Sequence, residues 1–106
     1  MKTLEDIKKI LESTGLPVTY YCWPEEQAPP MPYICYHSPY SNNFAADGVT
    51  YFTADHVMIE LYSRNVDKTS EKKITDALTA AGIYWDRTEE YLDDEKCYES
   101  IFECEV

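Results

Sequence analysis

The side chains able to do chemistry are four cysteines (Cys22, Cys35, Cys97 and Cys104), two histidines (His37 and His56) and twenty carboxylates in 106 residues. Thiol catalysis needs a cysteine beside a base, activated by a positive environment or a helix N-terminus. Both histidines fall on stretches of strand character, so Cys35–His56 or Cys22–His37 pairs could meet across strands. No nucleophile elbow and no cysteine at a helix start accompanies them, which favours structural cysteines. Zinc is disfavoured as well. There is no C-x2-C pair, and Cys97 and Cys104, seven apart on one expected strand, point to opposite sides of it. With an even count but no secretory signal, the four read as free thiols in a reducing compartment.

Acid–base hydrolysis needs two carboxylates placed around a cleft, and among twenty acids some pair is always close by chance. The only glycines, Gly15, Gly48 and Gly82, each have a turn or cap role, which leaves no glycine loop to cradle a phosphate. Asp93, Asp94 and Glu95 lack the alternating ligands and central glycine of a calcium loop and read as a solvated turn. The sequence therefore predicts no catalytic residue, no cofactor and no metal, hence no enzyme.

A formal charge of −11 repels phosphate backbones, so no direct nucleic-acid binding is expected. From residue 86 to 106 nine acids face two bases, and Glu99, Glu103 and Glu105 mark a candidate acidic surface that either docks a partner, repels one, or keeps an edge solvated. No apolar run approaches the roughly 20 residues that cross a bilayer, and the start MKTLEDIKK has no apolar export core. No membrane partner is expected.

The elements that must position these residues follow from periodicity. Leu4, Ile7, Ile10 and Leu11 recur at helical spacing over about 3–14, with Thr3 and Asp6 as a capping pair and Gly15 as the stop. A strand over about 18–23 runs into PEEQAPPMP, a stiff connector, and a second strand follows over 33–37. Residues 38–54 are expected to form a projecting loop or small hairpin, with Phe44-Ala45-Ala46 and residues 49–52 as arms around Asp47-Gly48. The clearest strand is 56–64, where Val57, Ile59 and Leu61 alternate with Met58, Glu60 and Tyr62; it is expected to be central. A second helix over about 69–81, started by Thr69 or Ser70, shows Ile74, Ala77, Leu78 and Ala81 on one face and Gly82 beyond its end. Strands over 83–87, with 89–92 as a possible extension, and over 97–106 close the chain as a hairpin.

This order, α-β-β-β-α-β-β, predicts one α+β domain over 1–106. It is a two-layer sandwich: a mainly antiparallel sheet of about five strands with two helices on one face. The uncovered face then carries Tyr62, Met58, Ile101 and Tyr21 beside the glutamates, more apolar matter than a wet face needs. Ten tyrosines add to that impression, because tyrosine joins large contact area to a polar tip. The candidate protein-contact residues are Tyr40, Asn43, Phe44, Tyr51 and Phe52 on the projecting segment and Met58, Tyr62 and Ile101 on the open face.

Three segments, in this order, carry a resemblance: APPMPYICY at 28–36, VMIELYSRN at 57–65 and SEKKITDALTAAG at 70–82. Together with the N-terminal amphipathic helix, they make the chain resemble the small tail-terminator and tail-completion proteins of long-tailed bacteriophages and prophages, over roughly the first four-fifths of its length. The resemblance implies a structural protein without cofactor that forms a ring, typically six-fold, on the head-proximal end of the tail tube. Its implied partners are its own copies, the tail tube protein and a head-completion protein. Its implied location is the bacterial cytoplasm during assembly and then the virion tail. Alternatives are a head–tail connector of the neck, which shares the ring logic, and a small-ligand-binding regulatory domain with Trp23, Tyr36 and Trp85 lining a pocket.

Overall fold

Helix α1 (Leu4–Glu12) begins where the sequence places its cap: the Thr3 hydroxyl accepts from the Asp6 N–H (3.2 Å), and the Asp6 carboxylate accepts from the Thr3 N–H (2.9 Å). This reciprocal box satisfies two otherwise orphaned donors and holds the Asp6 carboxyl below its ordinary pKa. The computed structural model describes residues 2–46 and 48–106, and for 44–46 and 49–52 the backbone alone. Helix α2 (Lys68–Ala80) starts earlier than expected. Its cap is Asp67, whose carboxylate accepts from the Ser70 N–H (3.0 Å) and the Ser70 hydroxyl (2.8 Å), so Ser70 serves as a donor inside the first turn. Gly82, at φ +75°, takes the left-handed conformation that ends the helix.

The sheet has the order β1-β2-β3-β5-β4, built from β1 (Val18–Tyr20), β2 (Tyr33–Ala46), β3 (Val49–Ser63), β4 (Asp86–Leu92) and β5 (Cys97–Glu105). Only β1 and β2 are parallel, joined by the proline-rich connector; every other pairing is antiparallel. The α+β two-layer arrangement and the element order are those predicted. Alternation along β3 sends Val57, Ile59 and Leu61 towards the helices, where they meet Ile34 and Tyr36 of β2, Phe102 of β5, Ile7 and Leu11 of α1, and Ile74 and Leu78 of α2. All of these are buried. One charge enters this layer: the buried Glu71 carboxylate accepts from Arg87 Nε and lies 3.4 Å from Lys68 Nζ, a pairing that a buried acid requires.

Beyond the start of α2, strand boundaries differ from expectation in three places. β1 stops at Tyr20 because Tyr21 adopts a left-handed φ of 67°. β4 begins at Asp86, since Ile83 is drawn into the core with its N–H closing on the Leu78 carbonyl and Trp85 packs edge-on to Phe102. The third difference matters most for function. Of the two forms expected for 38–54 the hairpin is the one found, longer than expected: 38–46 and 49–54 prolong β2 and β3, with a register shift between His37 and Tyr40 where Pro39 has no N–H to give the ladder.

Candidate functional site

The residues opposite the helices form rows across the sheet. Tyr33 of β2 stands beside Tyr62 of β3 and Glu99 of β5; Cys35 beside Glu60 and Ile101; His37 beside Met58 and Glu103; Tyr40 beside His56 and Glu105. β4 continues them at the far edge with Glu90, Thr88 and Asp86. The expected contact residues Met58, Tyr62 and Ile101 are thus half-buried neighbours on one open face. At the described positions of these rows there is no Lys or Arg.

The chemistry of the face is one of too many acceptors. The Tyr62 hydroxyl, with one proton, stands within hydrogen-bond reach of both the Glu60 carboxylate and Glu99 Oε2 (2.8 Å). Burial first, then Glu60 nearby, pushes the Glu99 carboxyl above its ordinary pKa, while burial and the same two glutamates push the Tyr62 phenol up. His37 Nδ1 lies 3.5 Å from Glu60, with the Tyr21 ring edge-on to it at 5.1 Å. His56 is sandwiched in a different way: Tyr40 stacks on it at 4.6 Å, and Nε2 lies 3.1 Å from Glu103. Its Nδ1 is buried without a hydrogen-bond partner.

The cross-strand Cys–His pairs weighed from sequence therefore give way to His–Glu pairs. Cys35 faces Glu60 across the ladder, and burial, then that carboxylate, pushes its thiol up to about 12, which keeps it protonated and weakly nucleophilic at neutral pH. Cys104 is buried in the helix-side layer and pushed up to about 11; Cys97, also buried, lies in the row of Leu92 on the other side of β5; Cys22 is exposed. All four are free thiols, as read from the sequence. Among the described residues no group of three metal-ligating side chains converges, and no helix is long and apolar enough to cross a membrane.

Glu99, Glu103 and Glu105 do share the open face, but each is engaged: Glu99 by Tyr62, Glu103 by His56, and Glu105 by the Asn42 side-chain amide. Glu103 and Glu105 also line a groove of about 400 Å³ with His56, Tyr84, Asp86 and Cys104. Sequence reasoning missed Glu60 and His37 as parts of this cluster. Period-two alternation already placed Glu60 on the face; the cross-strand register that brings Tyr62, Glu99 and His37 to it was the absent information.

The second part of the site is the far end of the hairpin. β5 reaches only to Asp55, whose backbone exchanges hydrogen bonds with Val106 (2.7 and 3.0 Å). Beyond it, the backbones of 42–46 and 49–54 pair with each other alone among the described residues, a two-stranded arm of about 20 Å at some 3.4 Å per residue, tied at its base by the Asn42 amide to Glu105. It contributes to a longest dimension of 49 Å against 28 and 23 Å. Tyr40, 54% exposed, sits at its base and Asn43 is exposed along it. The side chains of Phe44, Tyr51 and Phe52, and Asp47 at the turn, lie outside the described residues. Trp23, Tyr36 and Trp85 line no common pocket: Trp23 packs on Tyr33, Tyr36 on Tyr20 and Trp85 on Phe102, at three separate places. In comparison with known proteins, no family model matches the chain, and no curated protein matches it either.

Proposed function

We propose that the chain is a structural assembly protein of the tail-terminator or tail-completion type, whose copies form a ring that caps a phage or prophage tail tube and supports head–tail joining. The observation that carries this reading is the two-stranded arm. A ribbon of two strands is marginal alone in water, and its outer edges, unpaired among the described residues beyond 41 and before 55, are templates for another chain. An arm of this kind is explained by a neighbour that completes it, either the next subunit of a ring or the tube.

The three resembling segments support the same reading by where they fall: the first leads into β2, the second covers the C-terminal half of β3 and the two residues after it, and the third covers most of α2. Partners on this reading are further copies of the chain, six in a closed ring, the tail tube protein and a head-completion protein. The negative charge leaves DNA in the tube unbound. Assembly takes place in the bacterial cytoplasm and the product stays in the virion tail.

Co-expression with the tail tube protein of the same genome, followed by negative-stain microscopy, tests the reading. Rings at one end of the tubes are expected, and their loss when 41–54 is replaced by a two-residue turn. Tubes that never bind the intact chain overturn it, and binding to the portal in place of the tube assigns the chain to the neck.

A further inference from the structure

We propose that copies of this chain associate front to back, the outward face of α2 in one copy seating on the acidic open sheet face of the next. The inference deepens the ring reading and rests on it for the identity of the assembly, though not for the contact itself.

Charge is segregated between the two layers. The open face carries Glu60, Glu90, Glu99, Glu103 and Asp86 with no Lys or Arg at its described positions, and its histidines each already face a glutamate. The outward face of α2 carries Lys68, Lys72 and Lys73, all exposed, against a single exposed acid, Asp76. Glu71, the other acid of that helix, is turned inward and held by Arg87 and by Lys68, which leaves Lys72 and Lys73 as the lysines not drawn to the core side. Lys72 does pair with Asp76 (2.7 Å), but with the lysine side chain 74% exposed such a pair contributes little and is readily exchanged.

Hydrogen-bond capacity points the same way. Glu60 and Glu99 compete for one phenolic proton, so the face has acceptors in excess, and a lysine ammonium brings three donors and no acceptor. Half-buried Met58 and Ile101 between the acids offer an apolar bed for the lysine stems. Size fits as well: the thirteen residues of α2 span about 20 Å, comparable with the width of the five-stranded sheet at about 4.8 Å between neighbouring strands.

The same segregation opposes a two-fold dimer through either of these faces. A symmetric dimer through the open faces sets carboxylates on carboxylates, and one through α2 sets lysines on lysines; like charges brought together across an interface oppose both. What remains is a heterologous contact, and repetition of such a contact yields either a closed ring or an open filament.

Sedimentation velocity of the purified chain, with two variants, tests this. Self-association is expected to weaken at least about tenfold between about 0.01 and about 1 M salt, as the screening length falls from about 30 to about 3 Å. Lys72→Glu/Lys73→Glu and Glu90→Lys/Glu103→Lys change side chains on the surface, and circular dichroism checks that both fold. Each alone is expected to be monomeric, while their equimolar mixture reassembles, because each supplies the face that complements the other. Wild-type self-association by either variant, a mixture that stays monomeric, or a wild-type chain that is monomeric at every salt concentration overturns the proposal. If the wild-type is monomeric yet Glu90→Lys/Glu103→Lys alone loses tube binding, the acidic face belongs to the tube protein. Self-association without tube binding leaves this contact standing and sinks only the tail-terminator reading.

Discussion

Tyr62, Glu60 and Glu99 form a cluster in which the fold accepts a local electrostatic cost. Glu99 binds its proton more tightly in the folded chain than in the unfolded one, because burial and Glu60 disfavour its ionised form. The sign follows: protonation favours the fold fully below the ordinary value of 4.5, and that benefit is lost as pH rises through the raised folded value. At pH 7 the ionised side chain is therefore a burden. Glu99→Gln, which keeps an acceptor for Tyr62 and removes the charge, is expected to raise stability at neutral pH by about 0.2–1 kcal/mol, the range for cross-strand pairs. The gain is expected to vanish by about pH 4, as urea unfolding at both pH values will read. A chain that keeps such a cost is consistent with a face held ready for a partner. Thiol labelling checks a second residue-scale expectation. Exposed Cys22 reacts first at neutral pH, while Cys35, at about 12, and the other buried thiols react only on unfolding, counted by mass spectrometry of the labelled native protein. Alternation made the sides of Met58, Glu60, Tyr62, Glu99 and Ile101 legible in the sequence. Which of them touch was not legible, because contact depends on register between strands about forty residues apart.

Elements with a local chemical signature were legible; those defined by tertiary context were not. The α1 cap is a Thr-x-x-Asp pattern and needs nothing beyond four residues. The α2 cap was misplaced by two or three residues because three capable caps, Asp67, Thr69 and Ser70, lie close together, and the carboxylate captured both the N–H and the hydroxyl of Ser70. Asp67→Ala is accordingly expected to cost about 1 kcal/mol in urea unfolding, and Ser70→Ala less. The hairpin arms at 44–46 and 49–52 were legible beside the turn, but not their continuity with β2 and β3. The stretch 38–43 contains Pro39 and a polar run of turn-forming residues, a composition that reads as loop, and only pairing with β3 makes it strand. Residues 83–85 erred in the opposite direction: apolar and aromatic, they look like strand, but Ile83 and Trp85 pack into the core while Tyr84 stays exposed. Replacing 41–54 by a short turn removes none of the core side chains among the described residues, so the thermal midpoint is expected to stay within a few degrees of wild-type. By contrast, Phe102→Ala, in the middle of the core, is expected to cost about 3–5 kcal/mol.

At the scale of the whole molecule, the layers divide labour. The helices and the inward sheet face supply the core, the outward sheet face concentrates carboxylates, and the hairpin extends past both. Composition alone announced the acidic balance, but not its segregation: the charges of the last twenty-one residues reach the open face only because β5 lies between β3 and β4. Such a molecule has its prominent features at its surfaces, in keeping with a role in assembly. Negative-stain microscopy of tail tubes co-expressed with the intact chain is the most direct test of that role. The account predicts a ring of copies at one end of each tube, absent when the arm is shortened in a chain that remains folded. Bare tube ends beside a folded, full-length chain contradict it.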